Sequence, residues 1–137
     1  MEPIVFLSVS DVMDIHRQLI DEFGGDSGLR DRGLLESAVS MPQSAFGGQD
    51  LHSGLAEKAA AYHFHLCANH PFVDGNKRVA VTVAEVFLLI NGHELVCDDE
   101  EIEELTIGVA SGLQSKDQVL EFFNRRVKGP ESGSVYR

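Results

Sequence analysis

Apolar residues recur at steps of three and four over much of this chain, which is the spacing of one face of an α-helix. The first such stripe predicts a helix over residues 11–23, in which Ser10 acts as the N-cap. Gly24 and Gly25 follow directly and mark its end. The apolar members of the stripe are Val12, Ile15, Leu19 and Phe23.

A second, shorter helix is predicted after Asp31, whose side chain is a good N-cap acceptor. It ends near Met41, because Pro42 disfavours helical geometry in the residue before it. The following stretch, PQSAFGGQDLHSG (residues 42–54), has no period and contains three glycines. These features predict a mobile loop or a small β-hairpin just before the next helix.

The middle of the chain predicts two consecutive helices. The first covers residues 55–69, and its apolar face is formed by Leu55, Ala59, Tyr62 and Leu66. Residues 79–90, VAVTVAEVFLLI, are apolar on nearly every side and rich in β-branched residues, so a strand is an alternative there. The length of this run, its alanines and leucines and the following Asn91 and Gly92 favour a buried central helix.

Two further helices are predicted downstream, each opened by a capping pair with a spacing of three residues. The pairs are Asp98 with Glu101 and Ser115 with Gln118. The chain is therefore expected to form one mainly α-helical domain over residues 1–128, a helical bundle with a small β-hairpin. The last residues, 129–137 (GPESGSVYR), lack apolar periodicity and are expected to be a disordered tail.

The chain carries 22 acidic and 11 basic side chains, which give a formal net charge of −11. A surface this negative repels polyphosphate backbones at long range, so the charge disfavours a direct nucleic-acid partner. Local basic clusters are still able to bind a small nucleotide at contact distance. They are formed by Lys77 with Arg78 and by Arg125 with Arg126.

The sequence also indicates a compartment. The first segment, MEPIVFLSVSD, lacks the basic start of a signal peptide, and no apolar run reaches the roughly 20 residues of a membrane span. Cys67 and Cys97 lie in apolar surroundings, which favours free thiols in a reducing compartment. A cytoplasmic protein without a membrane partner is expected.

The sequence HPFVDGNKR, residues 70–78, is expected to form a polar loop beneath the start of the second central helix. Gly75 can adopt the backbone angles that direct successive N–H groups towards one point, where the helix dipole attracts anions. Asn76 adds a neutral donor, while Lys77 and Arg78 add positive charge for phosphate oxygens. These residues predict a phosphate-binding cradle.

Two further side chains of this motif point to catalysis. Asp74 would repel a phosphate unless a hard cation such as Mg²⁺ lay between them, so it is a candidate metal ligand. His70 offers a base near neutral pH that can take a proton from a hydroxyl group. Pro71 and Phe72 are expected to anchor the loop in the core. Together these residues predict transfer of a phosphorus group from a nucleotide to a hydroxyl.

This motif resembles the signature of the Fic/Doc family, HPFx(D/E)GN(G/K)R, at every fixed position. The resemblance extends upstream through RDRGLLESAVSMPQSAFGG and downstream through NGHEL, and it is strongest to the short Doc toxins. It implies that His70 is the general base, Asp74 a metal ligand and Arg78 a phosphate-binding residue. It also implies that Gly75 and Asn76 help to form the anion hole.

Two departures from the adenylyl-transferring members of the family bear on the reaction. Those enzymes have glycine where this chain has Lys77, and commonly a second arginine where it has Val81. In Doc toxins the change to lysine accompanies an ATP that is bound in the opposite direction, so that the γ-phosphoryl group faces the histidine. The resemblance therefore implies a kinase that uses ATP and Mg²⁺.

The resemblance also implies protein partners. In the family a flap aligns an extended segment of the target protein by strand-like pairing. Its counterpart here, either such a flap or a passive connector, is formed by Ala45, Phe46, Gly47 and Gly48. Elongation factor Tu is the implied target, whose modification would stop translation. Because Lys58 interrupts the family's built-in inhibitory motif, (S/T)xxxE(G/N), restraint by a separate antitoxin protein is implied.

Other interpretations stay open on the sequence. The chain could instead transfer AMP or another nucleotide, or it could be an inactive nucleotide-binding or interaction module. His63 and His65, two residues apart on a helix, are expected to be core or surface residues and not metal ligands. The acidic run DDEEIEEL is expected to be a solvated helix start, and Arg125 and Arg126 to complement a helix C-terminus.

Overall fold

The computed structural model describes residues 3–130 of this chain. Within these residues it contains six α-helices, a 3₁₀ turn at Met41–Gln43 and two two-stranded antiparallel sheets. The helices are α1 (Val9–Phe23), α2 (Arg32–Ser40), α3 (Gly54–Asn69), α4 (Asn76–Ile90), α5 (Asp99–Ala110) and α6 (Lys116–Arg126). The strands are β1 (Ala45–Phe46), paired with β2 (Gln49–Asp50), and β3 (Glu94–Leu95), paired with β4 (Val127–Lys128). The expected mainly α-helical fold with a small β-hairpin is confirmed.

The second sheet holds the end of the described chain against the bundle. β4 follows α6 directly and pairs with β3, which lies between α4 and α5. Of the tail that the sequence predicts to be disordered, residues 131–137 lie outside the described part of the chain. Among residues 3–130, no helix is both long and apolar enough to cross a membrane.

α3 is the centre of the bundle, because α2, α4, α5 and α6 all pack against it. α1 packs against α4 on the side that carries the HPFVDGNKR motif. Both central helices carry buried alanines, such as Ala60 and Ala84, which take little space in the core. The largest buried side chains of the pair are Tyr62, Leu66, Phe87 and Leu88. The prediction of a buried central helix over residues 79–90 is therefore confirmed, and the strand alternative is wrong.

The start of α1 differs from the prediction. Ser8, and not Ser10, is the N-cap: its hydroxyl accepts the Asp11 N–H at 3.1 Å, and the Asp11 carboxylate accepts the Ser8 N–H at 2.8 Å. Ser10 has Met13 three residues later, which offers no oxygen for such a reciprocal cap. The other predicted caps are confirmed. They are Asp31 for α2, Asp98 with Glu101 for α5 and Ser115 with Gln118 for α6.

The start of α4 also differs. Gly75 is its N-cap and has a left-handed backbone (φ 82°, ψ 12°), so the helix begins at Asn76 and not at residue 79. Asn76, Lys77 and Arg78 therefore form the first turn of α4, and the prediction that they lie in a loop beneath it is wrong. Apolar periodicity could not reveal this first turn of α4, because its three residues are polar.

His63 lies in the core between α3 and α5. Its Nε2 is 2.8 Å from the Thr106 hydroxyl oxygen, and that hydroxyl donates to the Ile102 carbonyl at 2.6 Å. Nε2 must therefore carry the ring proton, which leaves Nδ1 buried without a partner among the described residues. Burial lowers the pKa of His63 to about 4. The neighbouring Cys67 and the more exposed Cys97 are free thiols, and burial raises the pKa of Cys67 to about 11.

Acid is expected to destabilise the fold through His63. Its pKa is about 4 in the folded chain and ordinarily 6.5, so between these values the unfolded chain binds a proton that the folded chain does not. The free energy of unfolding should fall as the pH decreases through this window, by up to about 1.4 kcal/mol per pH unit for this proton. His63→Gln keeps an N–H for Thr106 but does not titrate, so this part of the slope should disappear. Urea unfolding at several pH values measures how the free energy of unfolding changes with pH in the parent and in the variant. The same slope in both would contradict the prediction.

Candidate functional site

The loop that joins α3 to α4 begins and ends with a left-handed residue. His70 ends α3 with φ 53° and ψ 54°, and among the described residues it is the one non-glycine residue with a positive φ. This conformation costs an L-residue about 1–2 kcal/mol. Gly75 adopts a similar conformation without that cost. The imidazole of His70 is exposed, so a substrate hydroxyl can reach it.

Arg30 holds the strained end of this loop. Its Nε donates to the His70 carbonyl at 2.7 Å, and its Nη2 donates to the Asn69 carbonyl at 2.9 Å. The backbone N–H groups of Arg30 and Asp31 both donate to the Pro71 carbonyl, at 2.7 and 3.0 Å. Sequence reasoning missed Arg30, because its partners lie 39 and 40 residues away and no local pattern marks it.

Asn76 shapes the loop from its other end. Its side-chain oxygen accepts the Phe72 N–H and its side-chain nitrogen donates to the Phe72 carbonyl, both at 2.9 Å. The side chain is buried, so both of its polar atoms are used inside the protein. Phe72 takes one of the two amide hydrogens of Asn76. The contact of Asn76 with phosphate stays a prediction, and its backbone N–H in the first turn of α4 is a further donor there.

Phe72 anchors the loop in the core, as the sequence predicts, and is 2% exposed. The ring of His16, on α1, lies parallel to it with 3.7 Å between ring centroids and 8° between ring planes. Nε2 of His16 lies 2.8 Å from the carbonyl oxygen of Asp74. Phe72 also forms a bridge with Leu29, and Val73 donates to the Gly28 carbonyl at 2.9 Å. The loop is thus held on both faces by segments that precede it by 40 residues or more.

The predicted phosphate cradle would lie at the start of α4. No side chain caps this helix, so the N–H groups of its first turn are open to an anion. Lys77 and Arg78 are exposed in the same turn, and no carboxylate of residues 3–130 forms a salt bridge with either. The guanidinium of Arg78 lies over the ring of Phe23, with 4.3 Å from Cζ to the ring centroid. This cation–π contact holds Arg78 between α4 and the end of α1.

Asp74 is exposed directly before the cradle. Its Oδ2 accepts the N–H of Asp26 at 2.8 Å, and no described residue bonds to its Oδ1. One free carboxylate oxygen beside the predicted phosphate site suits Mg²⁺, which proteins commonly bind through one or two carboxylates together with substrate phosphates. Among residues 3–130, no group of three or more acidic, histidine or cysteine side chains forms a separate metal site. The residues present therefore fit a metal that arrives with a nucleotide.

A cleft of about 750 Å³ opens beside the cradle, between α1, α4 and α5. Its volume is within the range of small-molecule sites. Gly75, Lys77 and Arg78 lie on the wall from the start of α4, and Asp99 and Glu103 lie on the wall from α5. The apolar part of the lining is Leu19, Phe23, Val81, Ile102 and Ile107. A smaller pocket of about 190 Å³ is lined by both Asp74 and Arg78.

The predicted flap is the β1–β2 hairpin, with Gly47 and Gly48 at its turn. Both glycines have positive φ values, of 60° and 83°. Lys58, which is buried on α3, holds the hairpin by an ion pair with Asp50 at 3.2 Å and by donating to the His52 carbonyl. Within the described residues, neither strand pairs with a third strand, so both edges of the hairpin are open.

The second basic cluster lies outside this site. Arg125 and Arg126 are in the last turn of α6, as predicted, where they pair with Glu121 and Glu101. Arg126 also lies over the ring of Phe122. These contacts occupy both guanidinium groups, and neither arginine lines the cleft.

Comparison with known proteins connects this site to a family. A family model described as the Fic/DOC family matches residues 6–88. The chain is 49% identical over 76 residues to a protein named Toxin Doc from Mycolicibacterium smegmatis. This alignment covers 56% of this chain and 58% of that protein. The chain is also 31% identical over 119 residues to a protein named Protein kinase doc from Escherichia phage P1. That alignment covers 87% of this chain and 93% of that protein. The match to the first relative thus spans little more than half of that relative's length.

Replacing His70 by glycine is expected to release the backbone strain, whereas alanine retains it with its Cβ. His70→Gly should therefore be more stable than His70→Ala by about 0.5–1 kcal/mol, measured by urea unfolding. The matched control is Glu104, which is exposed in α5. There the order should reverse, with Glu104→Gly about 1 kcal/mol less stable than Glu104→Ala. If the alanine variant were more stable than the glycine variant at both positions, His70 would carry no strain.

Proposed function

We propose that this chain, which belongs to the Fic/Doc family, transfers the γ-phosphoryl group of ATP to a hydroxyl group of a protein target. One observation carries the proposal. An exposed histidine, one carboxylate and an uncapped helix N-terminus with two basic side chains lie together within residues 70–78. Such a set can activate a hydroxyl group and neutralise phosphate oxygens, which are the main requirements of phosphoryl transfer.

Lys77 supports a phosphoryl donor over an adenylyl donor. The family's AMP-transferring members have glycine at this position, where a nucleotide's inner phosphates lie. Lys77 lies in the first turn of α4, where its side chain would fill part of that space and add positive charge. The relative from phage P1 is named a protein kinase, and its alignment covers most of both chains. Both points support the same reaction for this chain.

In this reaction His70 takes the proton of the target hydroxyl on a ring nitrogen. The hydroxyl oxygen forms a bond to the γ-phosphorus, while the bond from that phosphorus to the oxygen bridging the β-phosphate breaks. ADP is the leaving group, and the negative charge moves onto the bridging oxygen. Lys77, Arg78 and the first-turn N–H groups of α4 bind the phosphate oxygens and stabilise this charge. Catalysis then depends mainly on position and on local charge.

Asp74 would hold Mg²⁺ through Oδ1, since Oδ2 already accepts the Asp26 N–H. When bound, the metal would neutralise part of the phosphate charge and relieve its repulsion from this carboxylate. The apolar wall of the cleft, from Val81 to Ile102 and Ile107, offers a surface for the nucleoside.

The names of the relatives suggest a biological role. One is named a toxin and the other a kinase. We extend the proposal accordingly: the chain acts in the cytoplasm as the toxin of a toxin–antitoxin pair, and a separate antitoxin protein restrains it. Elongation factor Tu, the target implied by the resemblance to Doc toxins, is the first candidate to test.

The direct test is intact-protein mass spectrometry of elongation factor Tu, and of a cell lysate, after incubation with this chain, ATP and Mg²⁺. The target should gain one phosphoryl group. His70→Ala should slow this gain by about 10²-fold or more. The control His93→Ala, a histidine outside the motif at residues 70–78, should not. A gain of AMP would contradict the phosphoryl donor and keep the family. No modified protein in either sample would contradict an active enzyme.

The β1–β2 hairpin is proposed to hold an extended segment of the target. Its open edges can pair with such a segment through backbone hydrogen bonds. The hairpin itself depends on Lys58, because that side chain ties Asp50 and the His52 carbonyl to α3.

Lys58→Met should loosen the hairpin while keeping the volume of the buried side chain. The expected result is a KM for the protein target that rises by about tenfold, as for one lost charged hydrogen bond, with an unchanged Kd for ATP. Kinetics with purified target and titration with ATP measure the two quantities. Lys128→Met, which removes an exposed charge, is the control. An unchanged KM would favour a passive connector.

A further inference from the structure

We propose that His16 is a positioning residue of the phosphate cradle. Its imidazole N–H holds the carbonyl of Asp74, so that the N–H of Gly75 faces the bound phosphate. The inference rests on the proposed function, because it takes phosphate to bind at the start of α4. His16 lies on α1, 58 residues before its partner and outside the motif that marks the site.

The direction of the hydrogen bond follows from its acceptor. Nε2 of His16 lies 2.8 Å from the carbonyl oxygen of Asp74. A carbonyl oxygen only accepts, so Nε2 must carry the proton and Nδ1 must not in the neutral ring. The ring is 3% exposed, and its parallel contact with Phe72 fixes its plane. The donor is therefore held in one direction.

Holding this carbonyl orients the next N–H group. In a trans peptide the C=O and the N–H point to opposite sides of the chain, and residues 3–130 contain no cis peptide. With the Asp74 carbonyl on His16, the N–H of Gly75 must point away from that ring. Gly75 lines both the large cleft and the smaller pocket, which are the places where a phosphate could meet this N–H.

Gly75 makes this restraint necessary. Its φ is +82°, and glycine adopts positive and negative φ with similar ease, so sterics alone do not prevent rotation of the peptide between Asp74 and Gly75. The contact of Asp74 with Asp26 holds the side chain of Asp74 and leaves its peptide plane free. Among the described residues, His16 supplies the one hydrogen bond to the Asp74 carbonyl.

Two substitutions separate this role from simple packing. His16→Phe keeps an aromatic ring on Phe72 but has no N–H. His16→Gln loses the ring but ends in an amide N–H that reaches about as far as Nε2. If His16 only fills space, phenylalanine should replace it better than glutamine. If it orients the peptide, glutamine should replace it better.

The test is titration of the full chain and both variants with inorganic tripolyphosphate, followed by the backbone amide signal of Gly75 in ¹H–¹⁵N NMR spectra. In the parent and in His16→Gln this signal should shift with similar Kd values. In His16→Phe the Kd should rise by about tenfold or more, as for a lost donor to a charged ligand. Equal binding by the phenylalanine variant, or an equal loss in both variants, would overturn the proposal.

A measurement on the parent chain covers the case in which a variant does not fold. Long-range ¹H–¹⁵N spectra show which ring nitrogen of His16 carries the proton. A proton on Nε2 is expected, and a neutral ring protonated on Nδ1 would overturn the proposal. Failure of the proposed function would look different: the parent itself would not bind tripolyphosphate, or would bind ATP without transferring phosphate.

Discussion

The burial of Phe72 is the constraint on which the site depends. Its ring is enclosed in the core and covered by His16, and its backbone N–H and carbonyl are both bonded to the side chain of Asn76. On either side of this residue the chain leaves α3 through a left-handed His70 and enters α4 through a left-handed Gly75. The turn thus buries Phe72 and Asn76. It leaves the candidate reactive side chains exposed, namely His70, Asp74, Lys77 and Arg78.

The strong negative charge of the chain and a phosphate site are compatible because they act over different distances. At physiological ionic strength the field of distant carboxylates is screened beyond about 8 Å. Inside that distance a phosphate at the start of α4 would meet the open helix N-terminus with Lys77 and Arg78, neither of which is paired with a described carboxylate. Asp74 is the acidic residue of the motif, and a metal–nucleotide complex suits it better than a bare polyanion.

Local sequence patterns predicted the elements but not the contacts that position the site. Apolar periodicity and caps such as Asp31 located the helices, because these signals involve residues within one or two turns. The motif itself pointed to the family and to His70, Asp74 and Arg78 as candidates. Arg30 and His16 escaped prediction because their partners are 40 and 58 residues away. The sequence pointed to Asn76 as a donor but not to the two hydrogen bonds by which its side chain holds Phe72.

The proposal that the γ-phosphoryl group is transferred is tested most directly by the nucleotide product. ³¹P NMR of a mixture of this chain, Mg²⁺, ATP and a protein substrate distinguishes the two possible cleavages in one spectrum. ADP should accumulate in step with phosphorylated target, without pyrophosphate, because the bond to the γ-phosphorus is the one that breaks. Pyrophosphate that accumulates in step with modified target would mean that the α-phosphate faces His70. That result would contradict the direction of ATP binding that we infer from Lys77.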